Sequence, residues 1–123
     1  MIGDLDFEVT PYTDFVTIGG DGTFCQTINS YQNHPQKDKL WKIPFGVLPG
    51  GSGNVLSWAL GCGNEYTATS QILKGEIIES DIIETILDDG RSIFGQGFTY
   101  GIASDAIVDS KRNYFGKHRY FIK

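Results

Sequence analysis

The chain has 123 residues, room for one compact domain, and 40% of them are hydrophobic and 13% aromatic, which excludes a disordered tract. Lys and Arg number 10 against 15 Asp and Glu, a net charge of -5 that excludes a duplex-binding module and makes nucleic acid an unsuitable partner. The apolar runs fall far short of the roughly 20 residues that cross a bilayer, and Cys25 and Cys62 alone build neither a disulfide framework nor a zinc site.

Along the chain, Asp14–Ile18 is a β-branched run that stops at Gly19-Gly20-Asp21-Gly22, which predicts a short buried strand. Phe24, Ile28 and Tyr31 follow at helical spacing and predict a helix over 23–31. Residues 33–42 are polar, hold Pro35 and three lysines, and are expected to form a solvated loop, with His34 on the surface. Ile43–Leu48 predicts a second strand, ended by Pro49-Gly50-Gly51-Ser52-Gly53 and followed at once by a helix over 54–60. Strand, glycine turn and helix thus occur twice, the pattern of βαβ units on a parallel sheet. Residues 67–74 predict another helix, closed by Gly75. Residues 76–87 and 91–100 read as antiparallel strands joined at Asp88-Asp89-Gly90, and 103–115 as a helix with a basic end. The expected division is 1–75 as part of an α/β domain and 76–123 as the start of a β-rich one. Charge divides along the chain too: residues 111–123 carry five basic side chains and no acid, either a solvated end or an anion site.

Glycine is 16 of the 123 residues, close to twice the usual share of about 7%. A parallel strand that ends in glycines and enters a helix aims free N–H groups at one spot, where the helix dipole also favours anions. Glycine lets a phosphate approach the main chain with no Cβ in the way. Two such turns side by side could grip a polyphosphate, although tight turns with no ligand would also account for them. Neither turn is a Walker A loop or a Rossmann fingerprint. Asp21 stands out, because a carboxylate in a phosphate-binding turn repels its ligand unless it takes a proton or holds magnesium. Its bland alternative is an Asp-Gly turn bonded to the local backbone.

Gly19-Gly20-Asp21-Gly22-Thr23 resembles the GGDGT signature of diacylglycerol-type lipid kinases, NAD kinases and, more remotely, phosphofructokinases. Leu48-Pro49-Gly50-Gly51-Ser52-Gly53-Asn54 is similar to the L-P-x-G-S-G-N stretch of sphingosine kinases and their diacylglycerol kinase relatives, where NAD kinases differ. Tyr100-Gly101, Asp105, Asp109-Ser110, Gly116 and Arg119-Tyr120 resemble a third segment, of sphingosine and ceramide kinases.

The resemblance implies an α/β fold: an incomplete parallel βαβ nucleotide-binding domain of the NAD kinase/diacylglycerol kinase type, running into an antiparallel β-sandwich domain. It implies ATP and Mg2+ as cofactors and a lipid hydroxyl at a membrane surface as acceptor, a sphingoid base before diacylglycerol or ceramide. Asp21 would be the general base. Gly19, Gly20, Gly22 and Thr23 would hold nucleotide phosphates, and Gly50, Gly51, Ser52, Gly53 and Asn54 would form the second nucleotide contact. Arg119 would neutralise developing charge, and Asp105 would meet the lipid head group or cap the following helix. No protein metal site is implied. The expected location is cytoplasmic and peripheral at membranes, since the N-terminus lacks a signal sequence.

The chain departs from the family at Gln26, where a glutamate is common, at Ser30, where glycine is common, and around 111–113, where it is shorter by one residue. Relatives also carry an upstream nucleotide loop and more β-strands, so a fragment is expected. The competing readings are an NAD kinase-like phosphotransferase and a silent module that binds nucleotide or a partner protein. Trp41 and Trp58 are expected to pack in the core or at its rim.

Overall fold

The β-branched run forms its strand, but Val16 and Ile18 are exposed rather than buried: β1 is Phe15–Gly19, and it pairs in parallel with β2, Phe45–Pro49, with Phe15 opposite Phe45 and Gly19 opposite Pro49. A computed structural model describes residues 8, 9, 11–102, 104, 105, 107 and 108. The crossover between the strands carries α1 (Asp21–Ser30), a 3-10 turn (Tyr31–Asn33) and a single-turn α2 (Lys37–Leu40). After β2 come α3 (Val55–Ala59) and α4 (Glu65–Lys74), then an antiparallel hairpin of β3 (Ile83–Ile86) and β4 (Ser92–Gly95). Residues 102, 104, 105, 107 and 108 are helical. The architecture is therefore the expected α/β type, a parallel pair with helices followed by an antiparallel pair.

Phe24 and Ile28 lie one turn apart on α1 and bury against Val47 of β2, with Phe45, Leu56, Ile82 and Phe94 around them. A second cluster joins Val9, Tyr31 and Leu40 to Phe15, Ile43 and Phe45. Phe45 links the two, meeting the Phe24 ring edge-on at 5.1 Å. Burying each such side chain contributes about 1.5–3 kcal/mol, so these clusters hold the sheet to the helices. The other face of the sheet meets α4 at Gly46, where a Cβ would lie 3.1 Å from Ile72 Cδ1.

Leu40 is fully buried, and that burial is why a helical turn forms inside the polar stretch expected to be a loop. His34 is also buried rather than on the surface, at 6% exposure, and its Nδ1 accepts the Gln36 N–H at 3.0 Å. Gln36 in turn accepts the Val9 N–H at 2.8 Å. Trp41 sits at the rim, between the rings of Tyr31 and Phe94. Trp58 is exposed, with its ring laid over Gly63, where a Cβ would come within 2.5 Å of it.

α4 begins two residues before the expected Thr67. Asn64 caps it, accepting the N–H groups of Tyr66 and Thr67, while Thr67 Oγ1 accepts the Asn64 N–H. Gly75 ends it in the left-handed conformation, as expected. The hairpin turn is at Asp88–Gly90, with the Gly90 N–H on the Leu87 carbonyl and a positive φ at Gly90. Its strands are much shorter than 76–87 and 91–100, because only four residues on each side pair, and Ile77 and Ile78 lie exposed outside the ladder.

The hairpin is tied to α1 and to the 3-10 turn that follows it by side chains. Asn29 accepts the Phe94 N–H at 2.8 Å and donates to the Phe94 carbonyl at 2.7 Å, and Gln32 donates to the Ser92 carbonyl at 3.1 Å. With Ile82 and Phe94 in the same core as α1, this hairpin packs directly on the α/β layer.

Candidate active site

Both glycine turns lie at the same end of the parallel pair, and they touch through their backbones. A Cβ on Gly51 would stand 2.4 Å from Gly20 Cα, and one on Gly50 would stand 3.2 Å from Gly19 N. At Gly51 the Gly20 main chain and the Asn54 Oδ1 both lie in the way, so glycine is required there by contact between the turns. The Gly50 N–H completes the join, donating to the Gly19 carbonyl at 2.9 Å. Thr23 folds back over Gly19, where a Cβ would meet its Oγ1 at 2.4 Å.

Asp21 opens α1 and reaches across to α3. Its Oδ2 accepts the Val55 N–H at 3.0 Å and its Oδ1 accepts the Leu56 N–H at 2.9 Å. The carboxylate therefore neutralises the N-terminus of α3, 34 and 35 residues away in sequence, rather than bonding its local turn. Asn54 sets up that N-terminus. It is the one non-glycine residue with positive φ among the described residues, at 51°. Its side chain accepts the Gly51 N–H at 2.8 Å and donates to the Gly51 carbonyl at 2.9 Å.

These bonds sort the expected phosphate donors. The N–H groups of Gly50 and Gly51 are spent inside the protein, as are those of Val55 and Leu56. The side-chain amide of Asn54 is likewise committed to Gly51. At α1 the position is reversed. Gly20 is its N-cap and offers no side chain, so the N–H groups of Asp21 and Gly22 have no acceptor among the described residues. Gly22 is exposed, and a Cβ there would meet nothing within 4 Å. Ser52 and Gly53 are exposed at the facing turn, and no acceptor among the described residues takes their N–H groups. Only one of the two helix starts is open to an anion, and the other already holds one.

Asp105 is exposed within the last helical segment, where its N–H donates to the Gly101 carbonyl at 3.1 Å. That places it one turn inside the helix and leaves the capping position to Gly101. No hydrogen bond joins Asp105 to the glycine turns among the described residues. Arg119, the 111–113 segment and the basic end lie outside the described residues. Among the described residues no three His, Cys, Asp or Glu side chains gather as a metal site, and no helix is long and apolar enough to cross a membrane.

The sequence reading missed the amides of Val55 and Leu56 as partners of Asp21. A usable signal lay in Asn54 before the apolar run Val55-Leu56, the mark of a helix start, although its carboxylate partner comes from far upstream.

The model of the diacylglycerol kinase catalytic domain matches residues 8–85. The chain is 33% identical over 118 residues to the mitochondrial acylglycerol kinase of Xenopus laevis, covering 89% of this chain and 28% of that protein. It is 28% identical over 120 residues to the sphingoid long chain base kinase 4 of Schizosaccharomyces pombe, covering 95% of this chain and 26% of that protein. It is 30% identical over 112 residues to the sphingoid long-chain bases kinase 1 of Arabidopsis thaliana, covering 87% and 15% respectively. The chain thus spans less than a third of the length of each of these relatives. No solved structure matches it. With the two glycine turns joined inside the matched region, the chain belongs to the diacylglycerol kinase catalytic domain family of lipid kinases.

Proposed function

We propose that this chain carries the phosphate-binding and proton-accepting part of an ATP-dependent lipid kinase. The observation that carries the proposal is the start of α1: a ten-residue helix with no side-chain cap, open N–H groups at Asp21 and Gly22, and a carboxylate held beside them. The donor set fits a polyphosphate. The amides of Gly20 to Gly22 and of Ser52 and Gly53 would hold the phosphates, with Thr23 packed beneath and Gly22 leaving room for close approach. Magnesium would ride on the phosphates, screening their charge from Asp21. Arg119 is proposed as a further cation at the phosphates and Asp105 as a contact of the acceptor head group.

Asp21 is the proposed general base. An ionised carboxylate has about four lone-pair sites, and Val55 and Leu56 use one on each oxygen. A site remains to take the proton of the acceptor hydroxyl as its oxygen bonds to the γ-phosphorus and the bond to the ADP oxygen breaks. The relatives, acylglycerol and sphingoid base kinases by name, favour a sphingoid base or an acylglycerol as acceptor, with diacylglycerol and ceramide as further candidates.

The test is transfer of labelled γ-phosphate from ATP and magnesium to a mixed pool of extracted lipids, run beside Asp21→Asn. A labelled lipid that disappears with Asp21→Asn is the expected result. Full transfer by Asp21→Asn, or label appearing on NAD in place of lipid, would overturn the reading.

A further inference from the structure

We propose that Asn54 is a positioning residue for Asp21, acting through the loop it folds, and that it does not contact nucleotide. This rests on the reading of Asp21 as the base. The side chain of Asn54 spends its carbonyl oxygen and one of its two amide N–H groups on Gly51. The residue is therefore a closed ring with the Gly51 peptide, made possible by its left-handed backbone, φ 51° and ψ 39°. That conformation is uncommon outside glycine, and asparagine is among the few residues that tolerate it. Its effect is directional. The chain leaves the Gly51 ring already turned, so that the next two N–H groups, Val55 and Leu56, face the Asp21 oxygens at 3.0 and 2.9 Å.

The same ring fixes Gly51 against Gly20, the residue immediately before Asp21, where Cα groups are so close that a single methyl would not fit. Asn54 thus sets both ends of the link: the backbone from which Asp21 projects and the amides that hold its carboxylate. Catalysis by proton transfer depends on such orientation at the sub-ångström level. A carboxylate released from these amides would swing toward the open N–H groups of its own helix, the place proposed for phosphate.

The experiment uses the full chain and two substitutions. Asn54→Ala removes both side-chain bonds and strains the backbone, whereas Asn54→Gly removes the bonds and keeps the left-handed turn, which guards against simple misfolding. Two measurements are made on each. Amide hydrogen exchange at Val55 and Leu56 reports the Asp21 link with or without activity, with Ala68 of α4 as the internal reference. Titration of ATP and steady-state transfer separate binding from turnover.

With Asn54→Gly, exchange at Val55 and Leu56 is expected to accelerate at least tenfold while Ala68 is unchanged. The ATP dissociation constant should stay within twofold, and kcat should fall about a hundredfold. Unchanged exchange at Val55 and Leu56 would overturn the proposal, as would an ATP affinity weakened tenfold or more with kcat preserved, which marks a direct nucleotide contact. Failure of the kinase reading looks different: the parent chain would neither bind ATP nor transfer phosphate, while the exchange result would still decide whether Asn54 holds the Asp21 link.

Discussion

Adding one methyl group at two glycines of the joined turns should move stability in opposite directions. At Gly51 the new Cβ would stand 2.4 Å from Gly20 Cα and 2.9 Å from Gly20 N and Asn54 Oδ1. Backbone on one side and a doubly bonded side chain on the other leave nothing free to yield, so overpacking costs about 2–3 kcal/mol. At Gly22 the methyl meets nothing within 4 Å and φ is not left-handed. Alanine there is favoured by helix propensity and by a less flexible unfolded chain, a gain of about 0.5–1 kcal/mol. A domain of 123 residues has an unfolding entropy of roughly 0.26 kcal/mol/K, so each kcal/mol shifts Tm by about 4 °C. Thermal unfolding should therefore show Gly51→Ala falling by about 8–12 °C and Gly22→Ala rising by about 2–4 °C. Helical Cβ atoms lean toward the N-terminus, so the Gly22 methyl also leans over the open amides, and ATP affinity should drop about tenfold in the more stable variant. Two melting shifts of the same sign, or full ATP affinity in Gly22→Ala, would refute the division between glycines that pack and the glycine that leaves space.

Tyr31 is buried with its hydroxyl unpaired among the described residues, and burial pushes its ionisation from 10.0 up to about 12. The folded state thus keeps a proton that the unfolded chain loses, so this contribution to stability is whole below pH 10 and is lost as pH rises toward 12, about 2–3 kcal/mol in all. Tyr31→Phe should remove that alkaline loss and leave stability at pH 7 unchanged or raised by about 1 kcal/mol, read by urea unfolding at both pH values. Asn29→Ala should cost about 2 kcal/mol and expose the Phe94 amide to rapid exchange, while the amides of α4 keep their protection. Asn64→Ala removes the α4 cap and should lower stability by about 1 kcal/mol in the same unfolding assay.

Much of this fold was legible because its signals are local. The β-branched run before Gly19, the spacing of Phe24 and Ile28, and the glycines after Pro49 each announce an element within a few residues. What escaped depends on partners far away. α2 exists because Leu40 reaches Val9 and Tyr31, a burial its polar neighbours do not suggest. β3 is short because β4 supplies four partners, whatever the isoleucine content upstream. At the site, the turns and Asp21 were visible as residues, but not the use of their hydrogen bonds. Gly50 and Gly51 look like phosphate donors until Gly19 and Asn54 claim their amides. Asp21 reads as bonded to its local turn until Val55 and Leu56 are found on its oxygens. That allocation belongs to pairs of turns, and no single stretch of sequence contains it.

The grip of Asn29 and Gln32 on the hairpin has a consequence for how its sheet can grow. Leu87 donates to the Arg91 carbonyl, so by alternation the 85/93 and 83/95 pairs exchange hydrogen bonds, while the main-chain groups of Ser92 and Phe94 point away from β3. Of those outward groups, Asn29 takes the Phe94 N–H and carbonyl and Gln32 takes the Ser92 carbonyl. α1 and its 3-10 turn thus cover the β4 edge with side-chain amides that imitate a neighbouring strand. Any further strand must join along β3, and lateral aggregation through β4 is blocked without a proline, a bulge or a charge.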